Sequence, residues 1–332
     1  MAHPDIIVIG ASAGGIRAVT ELVGQLPREL PATLFIVLHL SPNVESNLPL
    51  IFRRAGQLQA IAPRDREPIH PGYIYVAPPN WHMVFVDHIV HLDDGPRENG
   101  ARPAVDPLFR SAAEIFGPRV IGIILSGGLD DGTAGLASIK SHGGIAIVQD
   151  PAEAEFESMP RSAIENVAVD HILPVAKMGS LIVQLVSSSN GRSSGLSQEG
   201  ERSMNHESNN AHNTSPEWKL QFHCPDCGGV LLPVEEGECV YFRCEVGHQY
   251  SPQTLLSDQR TEIESALWAA IRALGERSRL LEEMALKARR NGHMGSAGRF
   301  EQRQIELQEQ TASIHKVLKM INADSDPGKS SG

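Results

Sequence analysis

The fold of this chain is decided at residues 6–15, which read Ile6-Ile7-Val8-Ile9-Gly10-Ala11-Ser12-Ala13-Gly14-Gly15. The first four residues form an apolar run of the kind found in the buried strands of parallel sheets. Ser12 then lies between Gly10 and Gly14, the spacing of a tight strand-to-helix turn that lifts a nucleophilic serine clear of the sheet. The N-terminus of the following helix supplies N–H groups and a positive dipole end, which suit a developing oxyanion.

The same stretch half-matches the dinucleotide fingerprint G-x-G-x-x-G, with Ser12 where the middle glycine belongs. A nicotinamide-binding fold requires an acidic residue about 20 residues on, at the end of its second strand, to hold the ribose. The second apolar run, Thr33–Leu38, instead leads into His39. A hydroxyl and an imidazole in these two positions favour acyl transfer over dinucleotide binding.

A third apolar run, Val120–Leu125, leads into a glycine-rich loop that contains Asp130 and Asp131. The carboxyl ends of the strands of an open doubly wound sheet line one crevice, so Ser12, His39 and one of these aspartates are expected to converge. The alternative for the two aspartates is an ordinary turn or a helix N-cap in the glycine-rich loop.

Residues 5 to about 186 resemble the catalytic domain of the chemotaxis protein-glutamate methylesterases of the CheB type. The matching motifs occur in the family's order: Gly10–Gly15, Leu38-His39-Leu40, Tyr75–Pro78, His82-Met83, Asp94-Gly95-Pro96, Arg102–Phe109, Ile123–Gly127, Asp131-Gly132, Met159-Pro160-Arg161 and Ala163-Ile164. The resemblance implies an α/β fold with a doubly wound, mostly parallel sheet and helices on both faces.

The resemblance also implies a catalytic triad. Ser12 is the expected nucleophile, His39 the general base and acid, and Asp131 the orienting carboxylate, preferred over Asp130 because it immediately precedes Gly132. The implied reaction hydrolyses glutamyl methyl esters on methyl-accepting chemotaxis receptors and releases methanol. Deamidation of receptor glutamines is an implied second activity, and no cofactor is expected for catalysis.

Two positions of the expected oxyanion hole depart from the family pattern. The backbone N–H groups of Ala13 and Gly128 are predicted to hold the oxyanion, where the family often has threonine and methionine. A backbone donor survives both changes, but glycine leaves its orientation less constrained. The substrate cleft is predicted to include His82, Arg102, Met159 and Arg161. The family usually carries an N-terminal phosphoreceiver domain, and this sequence starts directly at the catalytic strand.

The composition argues against DNA binding and membrane insertion, and it indicates where the predicted domains begin and end. A formal net charge of −11 over 332 residues argues against a duplex-DNA-binding protein. No leader and no apolar run of about 18 residues is seen, so we expect a soluble cytoplasmic protein without membrane insertion. The expected organisation is a catalytic domain (1–186), a disordered linker rich in Ser, Asn and Gly (187–216), a zinc-ribbon-like module (217–256), an α-helical hairpin or coiled coil (257–322) and a disordered tail (323–332).

All four cysteines follow the linker, in a pattern typical of a metal site. Cys224 and Cys227 form a C-x-x-C knuckle, and Cys244 with His248 forms the second half of the site. These four residues are the predicted ligands of a structural zinc ion, with Cys239 as a spare or as a substitute for His248. A redox pair or free thiols are the alternatives. So small a module needs a metal because its core is too small by itself.

The C-terminal residues show helical periodicity in two series separated by a glycine-rich turn at 291–298. An intramolecular hairpin is the simpler interpretation, and self-association through the apolar seam is the alternative. An alternative function for the whole chain is a catalytically weak signalling adaptor that binds receptors or partners through the esterase fold and the tail. Nucleic-acid binding by the zinc module is disfavoured because Arg243 is the only Lys or Arg between Cys224 and His248.

Overall fold

The computed structural model describes residues 3–39, 46–187, 222–236 and 239–323. The chain divides into two units, Met1–Thr254 and Leu255–Gly332. The predicted linker 187–216 and the predicted tail 323–332 lie outside the described residues, except for Ser187 and Ala323 at their edges. The sequence-predicted boundaries between a catalytic domain, a zinc module and a helical hairpin stay predictions.

The strands all belong to the first unit. They are β1 (Ile6–Ala11), β2 (Thr33–Leu38), β3 (Gln59–Ile61), β4 (Glu67–Pro68), β5 (Tyr73–Val76), β6 (His82–Val86), β7 (Ile89–Asp93), β8 (Val120–Ile124), β9 (Ile145–Gln149), β10 (His171–Leu173), β11 (Phe222–His223), β12 (Val230–Glu236), β13 (Cys239–Cys244) and β14 (Gln249–Tyr250). The helices are α1 (Gly15–Gly24), α2 (Leu48–Ala55), α3 (Val105–Phe116), α4 (Thr133–Ser141), α5 (Ser158–Asn166), α6 (Val175–Ser187), α7 (Pro252–Arg290) and α8 (Met294–Ala323).

Seven strands form one parallel sheet in the order β10-β9-β8-β1-β2-β5-β3. Side chains of β1 alternate between two cores: Ile7 and Ile9 pack on the side of α1, α2 and α6, while Ile6 and Val8 pack on the side of α3, α4 and α5. Both faces are buried, which is why the strand is apolar without alternation. The predicted doubly wound α/β fold is confirmed.

The central position of β1 places the candidate residues. Strand order reverses at β1, which pairs with β2 on one side and with β8 on the other. The register aligns Ala11 with Leu38, and Gly10 with Ile124. The loops that follow these three strands therefore emerge side by side at one edge of the sheet, where such folds form their ligand crevice.

Two smaller sheets complete the first unit. Strands β4, β7 and β6 form an antiparallel sheet whose loops lead toward α3. Strands β11 to β14 form a second antiparallel sheet in chain order, which carries the cysteines. An isolated parallel bridge joins Glu98 to Gln249 and so connects this second sheet with the chain segment before α3.

The second unit is an antiparallel helical hairpin. Helices α7 and α8 are joined by Asn291–His293, a shorter turn than the predicted 291–298, because Gly295 and Gly298 are helical. Arg289 and Glu301 form an ion pair of 2.7 Å between the two helices. Within the part of the chain that the structure describes, no helix combines the length and the apolar character needed to span a bilayer.

Candidate active site

Ser12 lies immediately after β1 and is half-buried. Its N–H donates to the carbonyl of Ser126 at 3.0 Å, and its own carbonyl accepts the N–H of Gly15 at 2.9 Å. The left-handed conformation needed to enter α1 falls on Gly14 (φ 72°) and not on Ser12. The turn is therefore made by the glycine, which pays no steric penalty there, while the serine remains free of backbone strain.

His39 is the residue next to Ser12 across the sheet. Its N–H donates to the carbonyl of Ala11 at 3.4 Å, which extends the β1–β2 register by one position. The ring Nε2 lies 2.7 Å from Asp131 Oδ2, and about a fifth of the side chain (22%) is exposed. Nε2 is thus the ring nitrogen that faces the carboxylate, and Nδ1 is the one that does not.

Asp131 is buried and accepts hydrogen bonds from several donors. Oδ2 accepts from His39 and, at 2.6 Å, from the N–H of Val105, whereas Oδ1 accepts from the side-chain amide of Asn99 at 3.0 Å and the N–H of Asp106 at 3.3 Å. Burial opposes ionisation, but the bonds from His39, Val105 and Asn99 outweigh it and lower the pKa of Asp131 to about 2. The carboxylate is thus held ionised in a fixed orientation.

Asp130 faces a different set of partners. Its Oδ1 accepts hydrogen bonds from the hydroxyl groups of Ser251 at 2.8 Å and Thr254 at 2.9 Å. Burial raises the pKa of Asp130 despite these bonds. Of the two neighbouring aspartates, Asp131 is the one bonded to His39.

Asn99 and Asp106 belong to the site although the sequence did not identify them. The amide of Asn99 also donates to Asp106 Oδ2 at 3.2 Å, so that it lies between two buried carboxyl groups. Burial and the nearby charge of Asp131 raise the pKa of Asp106 well above its usual value. Asp106 lay inside a family motif, but nothing in the sequence distinguished Asn99 from an ordinary loop residue.

The expected oxyanion donors remain available. Neither the N–H of Ala13 nor that of Gly128 donates a hydrogen bond to any of the residues that the structure describes. Ser126 connects the loop of Ala13 with the segment of Phe156. Its hydroxyl donates to the carbonyl of Ala13 at 2.9 Å and accepts the N–H of Phe156 at 2.9 Å. No role for Ser126 was predicted from the sequence, because a serine that joins two loops by hydrogen bonds has no local signature.

Comparison with known proteins assigns this arrangement to a family. The family model described as CheB methylesterase matches residues 7–182, which include the main sheet except for Ile6, the first residue of β1. The chain belongs to the CheB methylesterase family. The prediction made from the sequence motifs is therefore confirmed at the level of the family.

Individual relatives agree with this assignment. A protein of Leptospira interrogans is 38% identical over 182 residues, which are 54% of this chain and 94% of that protein. The protein-glutamate methylesterase/protein-glutamine glutaminase of Thermotoga maritima is 33% identical over 185 residues, 54% of each chain. The crystal structure of the Thermotoga maritima CheB methylesterase catalytic domain is similar with a TM-score of 0.53 and 33% identity, and it covers 56% of this chain and 100% of that structure. The chain thus spans about half the length of the full Thermotoga protein.

The four predicted cleft residues of this methylesterase-family domain have different surroundings. His82 is buried (2% exposed), and its two ring nitrogens bond the carbonyl of Pro96 and the N–H of Ala104, so neither nitrogen is left for a substrate. Burial lowers the pKa of His82. Arg102 donates to the carbonyls of Asp94 and Gly95 and so braces a loop.

Met159 and Arg161 both lie in α5. Met159 is buried, and its N–H donates to the carbonyl of Gly127 at 3.0 Å, in the loop that follows β8. Arg161 is exposed and forms a 2.8 Å ion pair with Glu157, one helical turn away. Of the four residues, Arg161 is exposed, Arg102 is partly buried, and His82 and Met159 are buried.

The predicted metal ligands come together in the antiparallel sheet of β11 to β14. Potential ligand atoms of Cys224, Cys227, Cys244 and His248 all lie within 4.8 Å of one another. The Cys227 and Cys244 sulfurs are 3.7 Å apart, close to the edge of about 3.8 Å expected for a tetrahedron with Zn–S bonds of about 2.3 Å. Cys239 begins β13, and its side chain lies outside the described residues.

Proposed function

We propose that this chain hydrolyses glutamyl methyl esters on methyl-accepting chemotaxis receptors, with Ser12, His39 and Asp131 as its catalytic triad. The observation that carries the proposal is the 2.7 Å bond between His39 and Asp131 next to Ser12, inside the region matched by the methylesterase family. Relatives named protein-glutamate methylesterase/protein-glutamine glutaminase support the same chemistry.

The first half-reaction forms an acyl-enzyme. Ionised Asp131 can only accept hydrogen bonds, so it selects the tautomer of His39 that carries its proton on Nε2. Nδ1 then has a lone pair, takes the proton of the Ser12 hydroxyl, and allows Oγ to attack the ester carbonyl carbon. Asp131 also stabilises the imidazolium that results.

The tetrahedral intermediate places a negative charge on the former carbonyl oxygen. The N–H groups of Ala13 and Gly128 are the donors that we assign to this oxyanion, assisted by the N-terminus of α1. When the intermediate collapses, the bond to the methoxy oxygen breaks, His39 delivers its proton to that oxygen, and methanol leaves. A glutamyl ester of Ser12 remains.

The second half-reaction uses the same groups. His39 takes a proton from water, the hydroxide attacks the glutamyl-Ser12 ester, and the proton returns to Oγ as the receptor glutamate is released. A receptor glutamine enters the same cycle with ammonia as the leaving group, which makes deamidation the second proposed activity. None of these steps requires a cofactor.

The Cys224, Cys227, Cys244 and His248 cluster is proposed to hold a structural zinc ion. Four protein ligands fill a tetrahedral shell and leave no position for a substrate. Two left-handed glycines, Gly228 (φ 72°) and Gly247 (φ 105°), form the knuckle turns beside the ligands. The ion's contribution there is to fold the module, and no catalytic step passes through it.

Self-association is proposed for the second unit. Its hairpin buries Ala285, Leu307 and Leu318 but leaves Ile263, Leu280 and Leu286 more than half exposed. Sedimentation analysis of the full chain over a range of concentrations tests this proposal, with Leu280→Glu as the variant expected to shift the protein toward the monomer. A concentration-independent monomer would reject it.

Methanol release from a methylated chemoreceptor cytoplasmic fragment tests the proposed activity. The wild-type chain should release methanol, and Ser12→Ala should release none above background. If the wild type binds the fragment but releases no methanol, the catalytic proposal fails for this substrate, and a role as a signalling adaptor replaces it.

A further inference from the structure

The cysteine-bearing sheet is packed against the loop that precedes α3. Gly247, in the second knuckle, lies so close to Pro96 that an added Cβ would meet the proline ring at 2.8 Å. Asp226, in the first knuckle, is 3.7 Å from the guanidinium of Arg97. Both knuckles of the metal cluster therefore contact residues 96–97, in the first unit of the chain. Residues 96–97 lie inside the segment that the family model matches, whereas the two knuckles lie outside it, because the match ends at residue 182.

The chain leaving the cluster continues this contact along Asn99. The N–H of Gln249, the residue after His248, donates to the carbonyl of Arg97 at 3.2 Å, and the N–H of Asn99 donates to the carbonyl of Gln249 at 2.8 Å. The N–H of Ser251 then donates to the side-chain oxygen of Asn99 at 2.9 Å. Three hydrogen bonds thus fasten Gln249–Ser251 to the Asn99 loop.

The bond from Ser251 determines which way the Asn99 amide points. A backbone N–H can only donate, so it requires the amide oxygen on its side and turns the NH₂ group toward Asp131 and Asp106. The reverse orientation would place the oxygen against two buried carboxyl groups and leave the Ser251 N–H unpaired. The segment after the metal cluster therefore helps to hold Asn99 in the orientation that supports Asp131.

A second attachment reaches the residue next to the triad carboxylate. Ser251 is the N-cap of α7, its hydroxyl accepting the N–H of Thr254 at 3.0 Å, and Pro252 follows at the first helical position. The hydroxyls of Ser251 and Thr254 both donate to Asp130. The segment 249–254 is thus bonded to Asp130 directly and to Asp131 through Asn99.

We infer that the metal-binding module supports the esterase site. By holding residues 249–254 in place, the bound metal fixes Asn99, which acts as a positioning residue for Asp131. This inference rests on the proposed triad and on the proposed zinc site. It implies that the catalytic efficiency of the first unit depends on metal occupancy, although the metal takes no part in the chemistry.

Zinc removal from the full chain provides the test. The protein is treated with a chelator, its zinc content is measured by elemental analysis, and zinc is then added back. Phosphonylation of Ser12 by a fluorophosphonate probe, in which Oγ displaces fluoride from phosphorus, and methanol release are followed in each state. We expect kcat and the labelling rate to fall by about 10- to 100-fold on zinc removal, as for a misplaced catalytic group, with KM unchanged and full recovery on zinc addition.

The Asn99→Asp variant separates the two contacts of this residue. An aspartate keeps the oxygen that accepts from Ser251, loses the amide donors to Asp131 and Asp106, and adds a third carboxyl group beside these two. The variant should keep its zinc and lose at least as much kcat as the zinc-free wild type, and zinc removal should cause little further loss. Asn166→Asp is the matched control, because the exposed Asn166 donates only to Ser162 in its own helix.

Hydrogen exchange distinguishes a local loss of positioning around Asn99 from general unfolding of the domain on zinc removal. Zinc removal should speed exchange in residues 97–106 while the amides of β1 stay protected. The inference is overturned if zinc-free protein keeps its kcat, if Asn99→Asp responds to zinc removal as strongly as wild type, or if β1 loses protection as well. If no form releases methanol but the probe still labels Ser12, the proposed substrate is wrong, and the labelling rates alone decide the inference.

Discussion

His39 and Asp131 are 92 residues apart in the sequence, and the Nε2 of the histidine lies 2.7 Å from Oδ2 of the aspartate. The parallel sheet brings them together, because β2 and β8 flank β1 and their following loops meet at one edge. The Asp131 side chain is almost fully buried, whereas the His39 side chain is partly exposed. The protein therefore fixes the carboxylate, while solvent reaches part of the imidazole.

Replacing Asp131 by Asn should lower kcat on the order of 10⁴-fold, as expected when the wrong tautomer of a triad histidine is selected. Ser12→Ala should remove turnover of the methyl ester. Asp170→Asn is the matched control, because Asp170 pairs with Lys140 at 2.7 Å and has no contact with His39. Steady-state kinetics on a methylated receptor fragment measure all three. Equal kcat for wild type and Asp131→Asn would exclude Asp131 from the triad.

Asp131 should also make the fold sensitive to acid. Its pKa of about 2 lies below the usual 3.8, so the ionised form stabilises the folded state above pH 4, and this contribution disappears as the pH falls through about 2. The shift corresponds to about 2 kcal/mol of unfolding free energy. Urea unfolding at a series of pH values should therefore show the gap between wild type and Asp131→Asn narrowing from pH 5 to pH 2. A gap that is constant with pH would contradict the depressed pKa.

The metal cluster predicts a defined stoichiometry. Purified full chain should contain one zinc ion, and Cys227→Ser or Cys244→Ser should lose it, because a tetrahedral site with three ligands binds zinc far more weakly. Cys239→Ser should keep the ion, since His248 supplies the fourth ligand atom in the cluster. Elemental analysis of each variant gives the answer. Zinc retained in His248→Asn but lost in Cys239→Ser would make Cys239 the fourth ligand.

The residues that the sequence identified share one property: each has a local signature. Ser12 follows an apolar strand between glycines, His39 ends the next strand, and Cys224 with Cys227 forms a knuckle. Their positions follow from strand order and from metal-ligand spacing, which can both be read from short stretches of sequence. The family resemblance then joined these separate signals into one site.

The residues that the sequence missed act only through distant partners. Asn99 gains its role from Ser251, which is 152 positions away, and from Asp131, which is 32 positions away. Ser126 gains its role from Ala13, at a separation of 113. Spacing and periodicity describe neighbours along the chain and carry no information about such contacts. The preference for Asp131 over Asp130 came from the family resemblance, and the structure bonds Asp130 to Ser251 and Thr254.

Gly128 offers a direct test of the oxyanion hole. A Cβ at this position would meet no atom within 4 Å, and its φ is not among the positive values, so an L-residue fits. Gly128→Ala should stabilise the fold by about 0.4–1 kcal/mol by restricting the unfolded chain. If the same restriction holds the N–H toward the oxyanion, kcat should rise by about two- to fivefold with KM unchanged. The neighbouring Gly127→Ala is the matched contrast, because its Cβ would lie 2.0 Å from the sulfur of Met159 and 3.0 Å from Cβ of Ser12. The Gly127→Ala variant should lose both stability and turnover. If Gly128→Ala instead lost turnover while keeping its stability, the loop that carries the oxyanion donor would have to remain free to move.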